Sequence, residues 1–120
     1  MSEPADPTPT ERELAILEVL WELGEGSVRQ VHEALRERLP IVQNTVQAFL
    51  RTMEAKGLVS HHTVGRSFIY RPVSDREPTR QRLLGRLLAR GFGGSMDDLV
   101  ESALAMRSPT PDEVQRLRDL

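Results

Sequence analysis

A change of hydrophobic period at Gly57 constrains this chain more than any other feature. Before it, Val46, Phe49, Leu50 and Met53 recur at i, i+3, i+4 and i+7, the stripe of a helix with one buried face. After it the apolar positions alternate through two short segments, 59–63 and 67–71, separated by Val64, Gly65 and Arg66. Gly57 stands where a helix stops in a left-handed cap, and Gly65 supplies the positive φ of a tight turn. The spacing predicts a helix over 44–57 that runs directly into a β-hairpin, with Leu58, Phe68 and Tyr70 as anchors. The helix start has two readings: Asn44 with Gln47 can cap it, or it begins at Val42 to Gln43.

Two helices precede this unit. Thr10 with Glu13 spells a capping box, and Leu14, Leu17, Leu20 and Trp21 give a core face ending at Gly24. Gly24, Glu25 and Gly26 turn the chain; Ser27 with Gln30 then spells a second box, with Val31, Ala34 and Leu35 as the buried stripe of a helix that fades before Pro40. Residues 1–9 hold three prolines and no periodicity, so they are expected to be a disordered leader. Three short helices followed by a hairpin form the order of a winged helix-turn-helix domain, expected over 10–73, in which the third helix enters the major groove and the wing meets the backbone or minor groove.

Beyond Pro72 the pattern is helical again. Ser74 with Glu77 offers a cap, and Leu83, Leu84, Leu87 and Leu88 repeat among Arg80, Arg82, Arg86 and Arg90. A break over 91–94 leads to a helix over 95–106 bearing Met96, Leu99, Val100, Ala103 and Leu104, and Thr110-Pro111 opens a last one, with Leu117, running through Leu120. Each helix is too short to stand alone and too apolar on one side to stay unpaired, so 74–120 is expected to be a helical dimerisation region. Its seam is expected to use Leu83, Leu84, Leu87, Leu88, Leu99, Val100, Leu104 and Leu117, with arginine stems covering the edges. The fold class is therefore mainly α with a small β-hairpin: a winged helix-turn-helix domain followed by a C-terminal helical dimerisation region.

Net charge is −2, yet its distribution is uneven. Over residues 40–72, Glu54 is the only acid against Arg51, Lys56, Arg66 and Arg71, a local net charge of +3. Such an island suits a partner with phosphates and predicts marked salt sensitivity. The outward positions of the third helix, Gln43, Asn44, Thr45, Gln47, Ala48 and Arg51, carry the groups that base edges need: amides for adenine, guanidinium for guanine or phosphate, methyls for thymine. Arg29, His62 and Arg66 complete the expected contact set, whose partner is a double-stranded operator.

Other functions lack their parts. With no Cys there is neither a disulfide framework nor a thiolate metal site. No window approaches the roughly 20 apolar residues of a membrane span, and the start lacks a signal pattern, which leads us to expect a soluble, cytoplasmic protein. His61 and His62 point to opposite faces of a strand with no acid at ligand spacing, so no metal or cofactor is expected. Trp21 reads as core. No nucleophile, paired carboxylates or phosphate loop is visible, which argues against an enzyme. A winged-helix module that binds protein is the alternative, along with a ligand-responsive regulator without a proteolytic switch; the polar outward face favours DNA over an aromatic-anchored protein surface.

The runs TERELAILEVLW, TVQAFLRTMEAKGLVSHHTVGRSFIYRPV and GFGGSMDDLVESAL resemble the penicillinase-repressor family, regulators of β-lactamase and methicillin-resistance genes. The resemblance covers 10–120 and is most specific at Glu13 through Trp21, at Thr45-Val46 to Lys56-Gly57-Leu58, and at Gly65-Arg66 before Tyr70-Arg71-Pro72. It implies a homodimeric repressor on a palindromic operator, released when a membrane-bound sensor metalloprotease, signalling a cell-wall antibiotic, leads to cleavage near Ser102-Ala103. The copper-responsive branch carries a Cys-rich metal hook, which this chain lacks. Val42, Gln43 and Asn44 depart from the Ser-Pro and basic residue of the β-lactamase repressors, so the operator sequence does not carry over.

Overall fold

Thr10 and Glu13 close the capping box that the sequence spells. The Thr10 amide donates to Glu13 Oε1 at 2.9 Å and the Glu13 amide donates to Thr10 Oγ1 at 3.3 Å, starting helix α1 (Glu11–Leu23). In the computed structural model, which describes residues 8–120, α1 ends at Gly24 with φ 84°, a conformation open to glycine without strain. The expected leader lies outside the described residues up to position 7, and Pro9 is buried. Ser27 and Gln30 form the second box and start α2 (Val28–Leu35). Helix α3 (Gln43–Lys56) begins one residue before Asn44, with Val42 at the cap and no side-chain cap bond, which selects the earlier of the two starts. It ends at Gly57, left-handed as expected.

Strands β2 (Val59–Val64) and β3 (Ser67–Pro72) pair antiparallel from Val59↔Pro72 to Val64↔Ser67, so Val64 belongs to the ladder and the turn is Gly65-Arg66 alone. A two-residue strand, β1 (Gly26–Ser27), adds to β3 through Gly26↔Tyr70 and Ser27↔Ile69, giving sheet order β1-β3-β2. Sequence periodicity could not reveal it, because two residues carry no alternation.

The chain divides into two units, one ending at Leu83 and the other Leu84–Leu120. The first has a core of Ile16, Leu17, Val19 and Leu20 from α1, Val31 and Leu35 from α2, Val46, Leu50 and Met53 from α3, with Ile41, Leu58, Val59 and Tyr70. Two expectations about the core need correction. Leu14 is only half-buried while Ile16 and Val19 are buried, since α1 is covered from more than one side and its apolar face is wider than a single stripe. Phe68 is 48% exposed, because β3 has run past the core by that point and only Tyr70, two residues on, lies beneath it.

Helix α4 (Arg76–Gly91) does not use the Ser74–Glu77 cap. The Ser74 hydroxyl accepts instead from Arg82, its carbonyl accepts from Trp21 Nε1 at 3.0 Å, and the Arg76 guanidinium lies 5.6 Å from the centre of the Trp21 ring. Helices α5 (Met96–Met106), capped by Ser95, and α6 (Pro111–Arg118), opened by the Thr110–Glu113 box, follow; α6 stops before Leu120. No helix of the described residues is long and apolar enough to cross a membrane.

Glu13 joins cap to core. Its side chain is 3% exposed, and its two carboxylate oxygens accept from Lys56 Nζ at 2.8 and 3.0 Å, tying α1 to the end of α3. Burial alone would raise its pKa, but the Lys56 ammonium and the Thr10 amide outweigh that and hold the carboxyl below its ordinary value. The folded-state pKa is thus depressed, so this stabilisation is present above the unfolded value and is lost as pH falls through the folded one. Glu13→Gln keeps an acceptor for the cap yet loses the ion pair; it is expected to lower stability at pH 7 by about 1–2 kcal/mol and to flatten the acid limb of a stability profile below pH ~4.5. Urea unfolding at a series of pH values measures both, and an unchanged acid limb would remove Glu13 from this role.

Candidate nucleic-acid interface

The outward face of α3 is ordered by its buried one. With Val46, Leu50 and Met53 fully buried, helical geometry places Asn44, Gln47, Arg51 and Glu54 at i, i+3, i+7 and i+10 along a single stripe on another side. Gln43, Asn44, Thr45, Ala48 and Arg51 are exposed and Gln47 is half-buried. The structure therefore brings the six expected α3 residues onto one exposed helix, four turns long, whose first two turns carry amides and no acid. Arg29 stands apart on α2, where it is exposed and paired with Glu33 at 3.3 Å.

The hairpin beside α3 presents two different faces. His62, Val64, Arg66 and Ser67 are exposed toward the tip, and His62 Nε2 lies 3.9 Å from Glu25, a loose contact. His61 and Tyr70 are cross-strand partners and share the core-side face. There His61 Nδ1 donates to both oxygens of Glu54, at 2.8 and 2.7 Å, while Phe68 stacks on the imidazole at 4.1 Å and 17°. The acid that the sequence does not place at ligand spacing from the histidines meets His61 in space. Glu54 reaches His61 across the α3 to β2 junction, a pairing between elements that ligand spacing within a strand does not encode. Burial, then the Glu54 charge, raises the Tyr70 phenol above its ordinary value. Among the described residues no three His, Asp or Glu side chains gather as a metal site.

The family model described as Penicillinase repressor matches residues 9–120. The chain belongs to the penicillinase repressor family. It is 24% identical over 111 residues to the penicillinase repressor of Bacillus licheniformis, covering 92% of this chain and 87% of the relative. Two solved structures share the fold of the N-terminal part. The DNA binding domain of the repressor BlaI aligns at 28% identity and a TM-score of 0.54, covering 63% of this chain and 90% of that one. The Bacillus licheniformis BlaI monomeric form, solved in complex with the blaP half-operator, aligns at 26% identity and a TM-score of 0.51, with the same coverage of each chain. The first unit is thus a winged helix-turn-helix of the BlaI kind.

In this member of the penicillinase repressor family the expected seam residues are poorly covered by their own chain. Leu83, Leu88 and Leu99 are half-buried, while Leu84, Leu87, Val100, Leu104 and Leu117 are 46–58% exposed, and neither α5 nor α6 has a buried residue. Between α5 and α6 lies an open groove of about 520 Å³, lined by Leu104, Met106, Pro109 and Leu117 among others. Arg107 clamps that corner, its guanidinium donating to both Glu113 oxygens at 2.8 Å. This pairing, with the Thr110 amide, holds the Glu113 carboxyl down to about 2. Ser102 and Ala103 are exposed in the middle of α5.

Proposed function

We propose that the chain is a sequence-specific DNA-binding repressor acting as a homodimer on a palindromic operator, and that proteolysis near Ser102-Ala103 relieves it after a membrane-bound sensor metalloprotease reports a cell-wall antibiotic. The observation that carries the DNA-binding part is the α3 stripe of Asn44, Gln47 and Arg51, exposed on a helix whose other side is locked in the core and which sits beside a hairpin tipped by Arg66. The BlaI form solved with a half-operator supports it from outside the chain. An amide on such a stripe pairs with adenine in the major groove, Arg51 with guanine or phosphate, and the wing with the sugar-phosphate backbone.

Support for the homodimer comes from the apolar side chains left open on α4, α5 and α6, a surface that water disfavours and a second copy would cover. Two half-sites would then lie about one duplex turn, or a multiple of it, apart.

Base reading and backbone positioning separate by mutation. Gln47→Ala or Asn44→Ala is expected to cost about 1–3 kcal/mol on the operator and to relax preference at one base pair. Arg66→Ala should instead weaken all duplexes alike and lower the salt slope by about one unit. Titrations of operator and single-base variants at several salt concentrations distinguish them; equal, sequence-independent losses from both changes would place the reading face elsewhere.

A further inference from the structure

The reading stripe of α3 ends in a side chain that does not suit DNA. Glu54 follows Arg51 by three residues and Gln47 by seven, and it is the only acid over residues 40–72. On the DNA-binding reading proposed above, a carboxylate left free at the end of that stripe adds a like charge near the phosphates of a bound duplex, and like charges brought together across an interface oppose binding. Glu54 is not free: His61 Nδ1 holds both of its oxygens, at 2.8 and 2.7 Å. Since a carboxylate can only accept, the imidazole proton is on Nδ1.

The imidazole is itself held. Phe68 stacks flat on one side at 4.1 Å, and Tyr70, its cross-strand partner, lies at 5.5 Å and tilted. Phe68 thereby has a use that its 48% exposure as a core anchor does not explain. The charged or titratable groups facing this cluster are Glu54 and Arg51 from α3 and Tyr70 from β3, with both α3 charges felt at the Tyr70 phenol. His62, on the opposite face of β2, is not part of it.

We propose that His61 is a positioning residue for DNA binding: seated on Phe68, it draws the Glu54 carboxylate toward the root of the wing and so keeps the one acid of the reading stripe away from the phosphates. The assignment rests on the DNA-binding function proposed above. It makes the carboxylate, and not the loss of the ring, the source of harm when His61 is removed.

Four variants of the full-length chain decide it, each titrated against operator and an unrelated duplex, with thermal unfolding run alongside. His61→Ala is expected to weaken both duplexes by about tenfold, because the freed charge repels phosphate whatever the sequence. Glu54→Gln, which leaves His61 an acceptor, should bind within about threefold of the wild type. The double variant Glu54→Gln/His61→Ala should recover to that same level, although it has lost more of the native contact than either single change. His61→Gln, whose amide N–H can still donate to Glu54, should sit near the wild type. A double variant as weak as His61→Ala, or a His61→Ala protein that binds normally, overturns the assignment while leaving the repressor function standing. A wild-type protein that prefers no duplex overturns both.

Discussion

A chain ending at Ser102 is expected to dimerise more weakly than the full chain and, where it is monomeric, to bind the operator on the order of 10²–10⁴-fold more weakly at physiological salt. The cut removes Leu104, Met106, Leu117 and Leu120, which are 52–98% exposed in a single protomer and so have little to lose unless a partner covers them. Covering such surface contributes about 25 cal/mol per Å², and losing it weakens the dimer in proportion. A monomer retains one α3 and about half of the phosphate contacts, so affinity falls although the winged-helix unit is untouched. The same logic would give the proposed proteolytic release its effect. A protease needs an extended strand, and Ser102 and Ala103 lie in mid-helix, so α5 must open locally first; a helix of eleven residues with no buried side chain opens at modest free energy. Sedimentation and operator titration of the shortened chain measure both effects. If it still dimerises and holds the operator as tightly as the full chain, dimer loss is not the means of release.

Leu50→Ala is expected to lower unfolding free energy by about 2–5 kcal/mol, a large share of what a domain of this size has. Leu50 is fully buried, and so are Val46 and Met53 beside it on the inner face of α3, so truncation leaves a void among side chains that cannot all collapse into it. On the outer face of the same helix, Ala48→Ser should change stability by no more than about 0.5 kcal/mol. The contrast follows from how this helix is held: its buried inner side fixes the orientation of the outer one. Denaturant unfolding monitored through Trp21 gives both values; a cost for Leu50→Ala below about 1 kcal/mol would mean that α3 is not packed as described.

How much of this was legible in the chain depended on how local the cause was. The boxes at Thr10-Glu13 and Ser27-Gln30 are spelled within four residues, and both form. The period change at Gly57 located α3 and the hairpin because helix and strand differ most plainly in periodicity. Ser74-Glu77 spells a box just as clearly, yet Trp21 and Arg82, distant in sequence, take the Ser74 carbonyl and hydroxyl. The β1 strand was invisible for want of length. Alternation marked Phe68 and Tyr70 alike; only the structure shows that the core ends between them. The Glu54–His61 pair had one signal, a lone acid in the otherwise basic segment 40–72, but the partner that meets it is set by how β2 leaves α3.

Footprinting of the promoter of its own operon tests the central claim most directly. The expected result is two protected half-sites of inverted sequence, centred about 10–10.5 base pairs or a multiple of that apart, with protection of one half-site base pair relaxed in Gln47→Ala. Uniform protection without preferred sites, or a pattern that Gln47→Ala leaves unchanged at every base pair, would contradict a dimer that reads DNA through α3.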